Sequence, residues 1–318
     1  MNSVIFLGTP QFGATVLEGL VKAGYDVKAV VTQPDKKVGR KQKIVYSPVK
    51  DLALKHGLPL YQPPRLSRSE ELDEVLMNIC PDFIVTAAFG QFLPSRFLKT
   101  AKIAAVNVHG SLLPKYRGGA PIQYALRNGD KETGVTIMEM VKEMDAGDMY
   151  AQATLPISEE DTAGTVFEKL APLGSRLLLE TLPKIADGSC QKQPQDPDQV
   201  VFSPTISKAE ERILTSMTAE EAKNLVRALN PDPGAYLLVK GQRLKVWRAE
   251  VASDNSSLPA GCLLTNSGRF AISFADNTVL NLLEVQPTGK KTMKIKDFLN
   301  GQGKKFVPGE RIVDEDKD

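Results

Sequence analysis

The stretch AVNVHGSLLPKYRGGAP, residues 105–121, sets an amide, Asn107, two positions before an imidazole, His109, at the end of an apolar run. An imidazole carries protons near neutral pH, and an amide donates to an oxygen that gains negative charge. In a strand, side chains alternate, so Val106 and Val108 share one face while Asn107 and His109 share the other. Two readings are open. A buried Asn-His pair satisfied by loop backbone groups is one, because buried polar groups must be hydrogen-bonded. The other is a reactive pair at the carboxyl end of a strand, where an α/β sheet opens into its ligand crevice. The segment that follows, SLLPKYRGGAP, strings turn-formers, two cations and an aromatic together, more than a plain connection needs. Farther on, VKEMDAGDM offers Asp145 and Asp148 in a Gly-containing turn. Asp145 is expected to orient His109 or to accept a proton near it; Asp148 reads as a turn cap.

Other chemistries fare worse. GTPQFG, after the first apolar run, has Gly8 and Gly13 where a dinucleotide loop has its outer glycines, but Pro10 replaces the middle one and Ala14 stands where a Walker lysine would be. It reads as a tight strand-to-helix turn beside a cleft. Cys80, Cys190 and Cys262 are scattered, so neither a disulfide framework nor a metal site is expected. His56 precedes a glycine at a helix end and reads as structural. AAFGQFLP, residues 87–94, ends a strand with exposed backbone and two phenylalanines, which fits a flat heterocycle or a hydrophobic loop packed on the sheet equally well. Trp247 reads as barrel core.

Such side chains need a frame. VIFLG (4–8), VKAVVT (27–32), FIVTAA (83–88), AAVNVHG (104–110) and GVTIMEM (134–140) alternate with helical patterns such as TVLEGLVKAG (15–24) and SEELDEVLMNI (69–79). That alternation predicts a doubly wound α/β domain on a parallel sheet. Around 187–206 the periodicity fades into Gly, Pro, Gln and Asp, as in a segment crossing between domains. Beyond it one helix, TAEEAKNLVRAL (218–229), precedes the alternating runs AYLLV, RLKVWRAEV, FAISF and TVLNLLEV, which fit a small β-barrel. At 318 residues two domains are expected. No apolar stretch approaches the roughly 20 residues of a membrane span, and the first residues lack the basic region of a secretory signal. An intracellular protein is expected. Net charge is +2, but PDKKVGRKQK (34–43) carries five Lys/Arg against one Asp, and KKTMKIK (290–296) four against none.

FLGTPQFG, TQPDKKVGRKQKIVYSPVK, NVHGSLLPKYRGGAPIQ, the MDAGDM turn, ISKAEERI and LNPDPGAY together resemble the methionyl-tRNA formyltransferase family, one branch of the folate-dependent formyltransferases, over nearly the whole chain. The resemblance implies an α/β, Rossmann-like catalytic domain over 1–189, a linker over 190–206 and an OB-like C-terminal β-barrel for tRNA over 207–318. It implies Asn107, His109 and Asp145 as the catalytic trio, and folate contacts from Ser111, Leu112, Leu113 and Pro114. Phe89, Gly90, Gln91 and Leu93 are expected to hold the pterin. The basic stretches supply the expected tRNA contacts: Arg40, Lys41, Lys43, Lys290, Lys291, Lys294 and Lys296. The expected reaction moves the formyl group of 10-formyltetrahydrofolate to the α-amine of methionyl initiator tRNA, with no metal, in a monomeric cytoplasmic enzyme. The rival readings are a small-amine formyltransferase, a tRNA- or folate-binding module without catalysis, and a dinucleotide-dependent oxidoreductase.

Overall fold

A computed structural model describes residues 2–38 and 42–316. The chain divides into two compact units: Met1–Pro121, Glu132–Pro156 and Phe167–Pro204 form the first, and Ile122–Lys131, Ile157–Val166 and Thr205–Asp318 the second. In chain order the first unit carries β1 (Ser3–Gly8), α1 (Gln11–Lys22), β2 (Asp26–Val31), β3 (Lys36–Val38), β4 (Lys43–Val45), α2 (Pro48–Lys55), β5 (Leu60–Tyr61), α3 (Glu70–Ile79), β6 (Phe83–Ala87), α4 (Ser95–Leu98) and β7 (Ala104–His109). After α5 (Pro121–Arg127) come β8 (Glu132–Glu139), β9 (Met149–Pro156) and α6 (Ala163–Ala186).

Seven strands make one sheet in the order β5-β2-β1-β6-β7-β8-β9. The central strands are apolar runs because a parallel sheet covered on both faces leaves no side for water. β6 is buried at all five positions, FIVTA. Gly8 and Gly13 explain the tight turn after β1: a Cβ on either would stand 2.9 or 2.8 Å from the Ala87 carbonyl oxygen. The opposite side of β7 faces α6, where a Cβ on Gly174 would stand 2.9 Å from Val108 Cγ1. Strand alternation therefore turns Asn107 and His109 to the other face.

The fully parallel sheet expected through residues 134–140 needs correction. β7 and β8 are antiparallel, with His109 opposite Thr136 and Val106 opposite Glu139, and β8 and β9 form a second antiparallel pair. A parallel return needs a crossover packed on the sheet. Here the connecting helix α5 clusters with the second unit, so the chain re-enters the sheet beside the end it left. Within the segment expected as the linker, 190–206, residues 190–204 belong to the first unit: Met149 and Gln193 exchange backbone hydrogen bonds, and Lys192 Nζ lies 2.7 Å from Glu139 Oε1.

The second unit carries α7 (Ala219–Ala228), β10 (Tyr236–Val239), β11 (Gln242–Val251), β12 (Leu263–Thr265), β13 (Phe270–Ser273), β14 (Val279–Pro287), β15 (Met293–Lys294) and α8 (Ile295–Asn300). Its six strands form an antiparallel half-barrel, β10-β11-β14-β13-β12, with β15 on β14. Leu225 and Val226 of α7 join Val246, Phe270 and Leu282 in its core. Trp247 departs from its expected place in that core. It stands outside the buried cluster, where the β11–β14 register shifts between Val246 and Arg248; the indole is half-buried against Gly234 and donates from Nε1 to Gln286 Oε1 at 3.1 Å.

Candidate active site

Asn107 and His109 end β7, as the alternation required, and differ in exposure. His109 is buried at 6% exposure and Asn107 half-buried. Thr86 on the neighbouring β6 donates from Oγ1 to Asn107 Oδ1 at 2.8 Å. With its oxygen so engaged, the amide presents its NH2 group as the free donor. His109 Nε2 lies 3.0 Å from the Tyr116 carbonyl oxygen. A carbonyl can only accept, so Nε2 carries a proton, and Nδ1 is the ring atom left to react. Asp145 Oδ1 faces that Nδ1 at 3.8 Å, beyond a hydrogen bond but within reach of an ion pair when the ring is charged. The Tyr116 carbonyl, rather than Asp145, is thus the group bonded to the ring.

Asp145 arrives by a route the sequence did not indicate. Because β8 is antiparallel, its last residue lies beside the start of β7, away from His109. Residues 140–148 must fold back. Glu139 N–H donates to Asp148 O at 2.8 Å and Met140 N–H to Ala105 O at 2.8 Å, pinning the base of the turn. Asp145 adopts φ +50°. Gly147 packs against the Glu139 carbonyl so closely that any Cβ there would collide with it. The Asp145 carboxylate then accepts from Gly118 N–H at 2.9 Å through Oδ2. Gly118 itself has φ +129°, and a Cβ on it would lie 2.5 Å from Ser203 O. Asp148, half-buried, acts through its carbonyl at the turn base.

The loop after His109 is built inward. Ser111 is fully buried and donates from Oγ to Lys115 O at 2.7 Å; Thr136 donates to Ser111 O at 2.7 Å and accepts from Leu113 N–H at 3.1 Å. Gln152 Nε2 donates to Leu113 O at 2.8 Å. Leu113 is buried, whereas Leu112 and Pro114 are half-buried. In the 87–94 loop, Phe89 and Leu93 point into the core with Ile5, Leu7 and Ile84. The Phe89 carbonyl accepts from Thr9 Oγ1 and Gln33 Nε2, while the Gln91 amide bonds Leu66 N–H and Gln33. What this loop offers to the outside is the backbone of Ala88 and Gly90, both exposed with positive φ, and the exposed Phe92.

The basic stretches lie elsewhere. Lys43 is exposed on the two-stranded hairpin β3-β4, beside exposed Ile44, Val45 and Tyr46. Arg40 and Lys41 lie outside the described residues. Lys290, Lys291, Lys294 and Lys296 are all exposed on the second unit, around β15 and α8. His56 stands at the C-terminal end of α2, the helix-end place expected of it, and is exposed. Among the described residues no group of three or more His, Cys, Asp or Glu is arranged to hold a metal ion. Among them, too, no helix is long and apolar enough to cross a membrane. Thr86, Arg117, Gly118 and Gln195 were not singled out from the sequence. Their parts rest on contacts 21 to 78 positions away along the chain, which leave no local pattern.

Residues 1–182 match the family described as Formyl transferase, and residues 205–303 match Formyl transferase, C-terminal domain. Methionyl-tRNA formyltransferase of Lactobacillus delbrueckii subsp. bulgaricus is 81% identical over 316 residues, covering 99% of this chain and 100% of its own. Its counterpart from Lactobacillus acidophilus is 69% identical over 314 residues, with 99% and 100% covered. Among solved structures, WlaRD, a sugar 3N-formyl transferase in the presence of dTDP and 5-N-formyl-THF, superposes with a TM-score of 0.67 at 19% identity, covering 92% of this chain and 99% of that one. HypX from Aquifex aeolicus in complex with tetrahydrofolic acid gives 0.64 at 18% identity, covering 100% of this chain and 50% of its own. At such low identity these two likenesses bear on the fold alone. Both domain matches and the full-length identity agree: the chain belongs to the methionyl-tRNA formyltransferase family.

Proposed function

We propose that this chain transfers a formyl group to the α-amine of methionine carried by initiator tRNA, with Asn107, His109 and Asp145 as its catalytic residues. One observation carries the reading: an oriented amide donor, an imidazole Nδ1 and a carboxylate converge on one face at the end of β7. The relatives named above supply the acceptor, since both are methionyl-tRNA formyltransferases.

10-Formyltetrahydrofolate supplies the formyl carbon and departs as tetrahydrofolate. As the amine nitrogen bonds to that carbon, Asn107 Nδ2 donates to the carbonyl oxygen while it gains charge, and protonated His109 Nδ1 donates beside it. Asp145 balances the imidazolium and takes the proton the amine gives up; that proton then passes to the leaving nitrogen as the old C–N bond breaks. Pterin binding falls to the exposed backbone of Ala88 and Gly90 and to Phe92, with Phe89, Gln91 and Leu93 shaping the loop from beneath. Ser111, Leu112, Leu113 and Pro114 close beside it. Residues 1–189 form the catalytic domain, 190–206 the linker and 207–318 the tRNA-binding domain. Arg40, Lys41 and Lys43 grip the acceptor end, and Lys290, Lys291, Lys294 and Lys296 neutralise phosphates. The enzyme acts as a cytoplasmic monomer.

The test is formyl transfer from 10-formyltetrahydrofolate to charged initiator tRNA. His109→Ala and Asp145→Asn should each lower kcat about 100-fold or more, the scale of a lost general acid-base group. Wild-type activity on a small amine but not on the tRNA would move the acceptor. Full activity of folded His109→Ala would sink the mechanism. tRNA affinity should fall with salt, and removing one phosphate-contacting lysine should lower the slope by about 1.

A further inference from the structure

We propose that Gln195, in the segment leading out of the first unit, is a positioning residue that holds the Asp145 turn against His109. This rests on the reading of Asp145 as catalytic. The Gln195 amide spends its bonding capacity on the two loops that build the site. Nε2 donates to Asp145 O at 2.8 Å and to Gly147 O at 2.7 Å, and Oε1 accepts from Arg117 Nε at 2.9 Å. Its orientation is not open to exchange of oxygen and nitrogen. Carbonyls only accept and a guanidinium only donates, so NH2 must face the turn and oxygen must face Arg117.

The two loops meet again one bond away, where Gly118 N–H donates to the Asp145 carboxylate. Gln195 therefore grips Asp145 from behind by its main chain, while Gly118 takes its side chain from the front. The same stretch of chain fixes the other loop. Arg117 N–H donates to Val201 O at 2.9 Å, Ser203 N–H to Arg117 O at 2.7 Å, and Ala120 N–H to Ser203 O at 3.1 Å. Residues 195–203 thus strap the 117–120 loop and the Asp145 turn into one piece. The turn needs such support. It runs back over the sheet from the wrong end of β8, and at Asp145 it passes through a positive-φ conformation, which persists only where the surroundings over-determine it.

Two substitutions test the assignment. Gln195→Glu keeps shape and the Arg117 partner but sets an oxygen against two carbonyl oxygens; Gln195→Met removes all three bonds at similar volume. Misplacing a reacting group by about 1 Å costs about 100-fold in rate, and a kcat loss of that order is expected in both, with KM for donor and tRNA little changed. The loss should not add to that of Asp145→Asn, because both act through one carboxylate. The chain has only two histidines, so the imidazole 15N resonances of His109 are easily assigned beside those of His56. Both variants should shift the His109 signals as Asp145→Asn does and leave His56 unmoved. Unchanged His109 signals with wild-type kcat in either folded variant would overturn the proposal, as would additive losses. Were wild type inactive in formyl transfer while the resonances still moved together, the positioning role would stand and the assigned reaction alone would fall.

Discussion

At the level of single residues, a neighbour decides what each reactive group can do. The Tyr116 carbonyl fixes the His109 tautomer, and the Thr86 hydroxyl holds the Asn107 oxygen, leaving its NH2 group outward. Thr86 is 3% exposed, so its hydroxyl has little water to compete for. Thr86→Val should leave the fold intact and free the amide to turn. Loss of one such hydrogen bond, about 1 kcal/mol, corresponds to roughly a fivefold fall in kcat. Thr86→Ser should restore the rate, and an unchanged kcat in Thr86→Val would show that Asn107 orients itself. Asn107 and His109 were readable as same-face partners because strand alternation needs only their spacing. Thr86 was not, since only the pairing of β6 with β7 makes it their neighbour.

Among the elements, the ones with strong local signals formed where the pattern put them. The helix expected over 218–229 is α7, Ala219–Ala228, and the reason for its start is visible: Thr218 accepts from Glu221 N–H while Glu221 reaches back to Thr218 N–H. This reciprocal cap satisfies two otherwise orphaned donors. Thr218→Ala should cost about 1 kcal/mol, measured as a lower denaturation midpoint of the second unit without loss of formyl transfer by the folded enzyme. The hairpin β3-β4 and the edge strand β9 were not foreseen, although both lie in sequence that alternates weakly. β9, at the edge of the sheet, alternates in exposure from Ala151 to Pro156, the mark of a strand with one face open.

For the molecule as a whole, part of the loss of stability in acid should arise in the second unit. Glu210 accepts from Ser207 N–H, Arg127 and Tyr124, and with the Ser207 backbone bond foremost its carboxyl is held down at about 2 from the usual 4.5. Glu159, bonded first by Lys223 and then by Lys131, is likewise held at about 2. A carboxylate depressed in the folded state stabilises it fully above its unfolded pKa, and that contribution fades as pH falls towards the folded value. Stability should therefore decline from about pH 4.5 down to about 2. Trp247 is the sole tryptophan and lies in this unit, so its fluorescence follows the transition. Glu210→Gln should be less stable at neutral pH and lose less on acidification. A midpoint falling in parallel with wild type would assign the acid sensitivity elsewhere.

The sequence by itself determined the α/β class, the β-rich second domain, the strand that bears Asn107 and His109, and the family. These follow from hydrophobic periods and motifs carried by residues close together along the chain. Only the tertiary structure decided that β8 turns back antiparallel, that Asp145 reaches His109 by folding over the sheet, and that Gln195 and Arg117 stand behind it. The physical reason is range. A period of two or 3.6 residues is a local property, but the direction of a returning strand depends on where α5 finds its packing. A glutamine 50 positions from the carbonyl it binds looks, in sequence, like any polar residue of a linker.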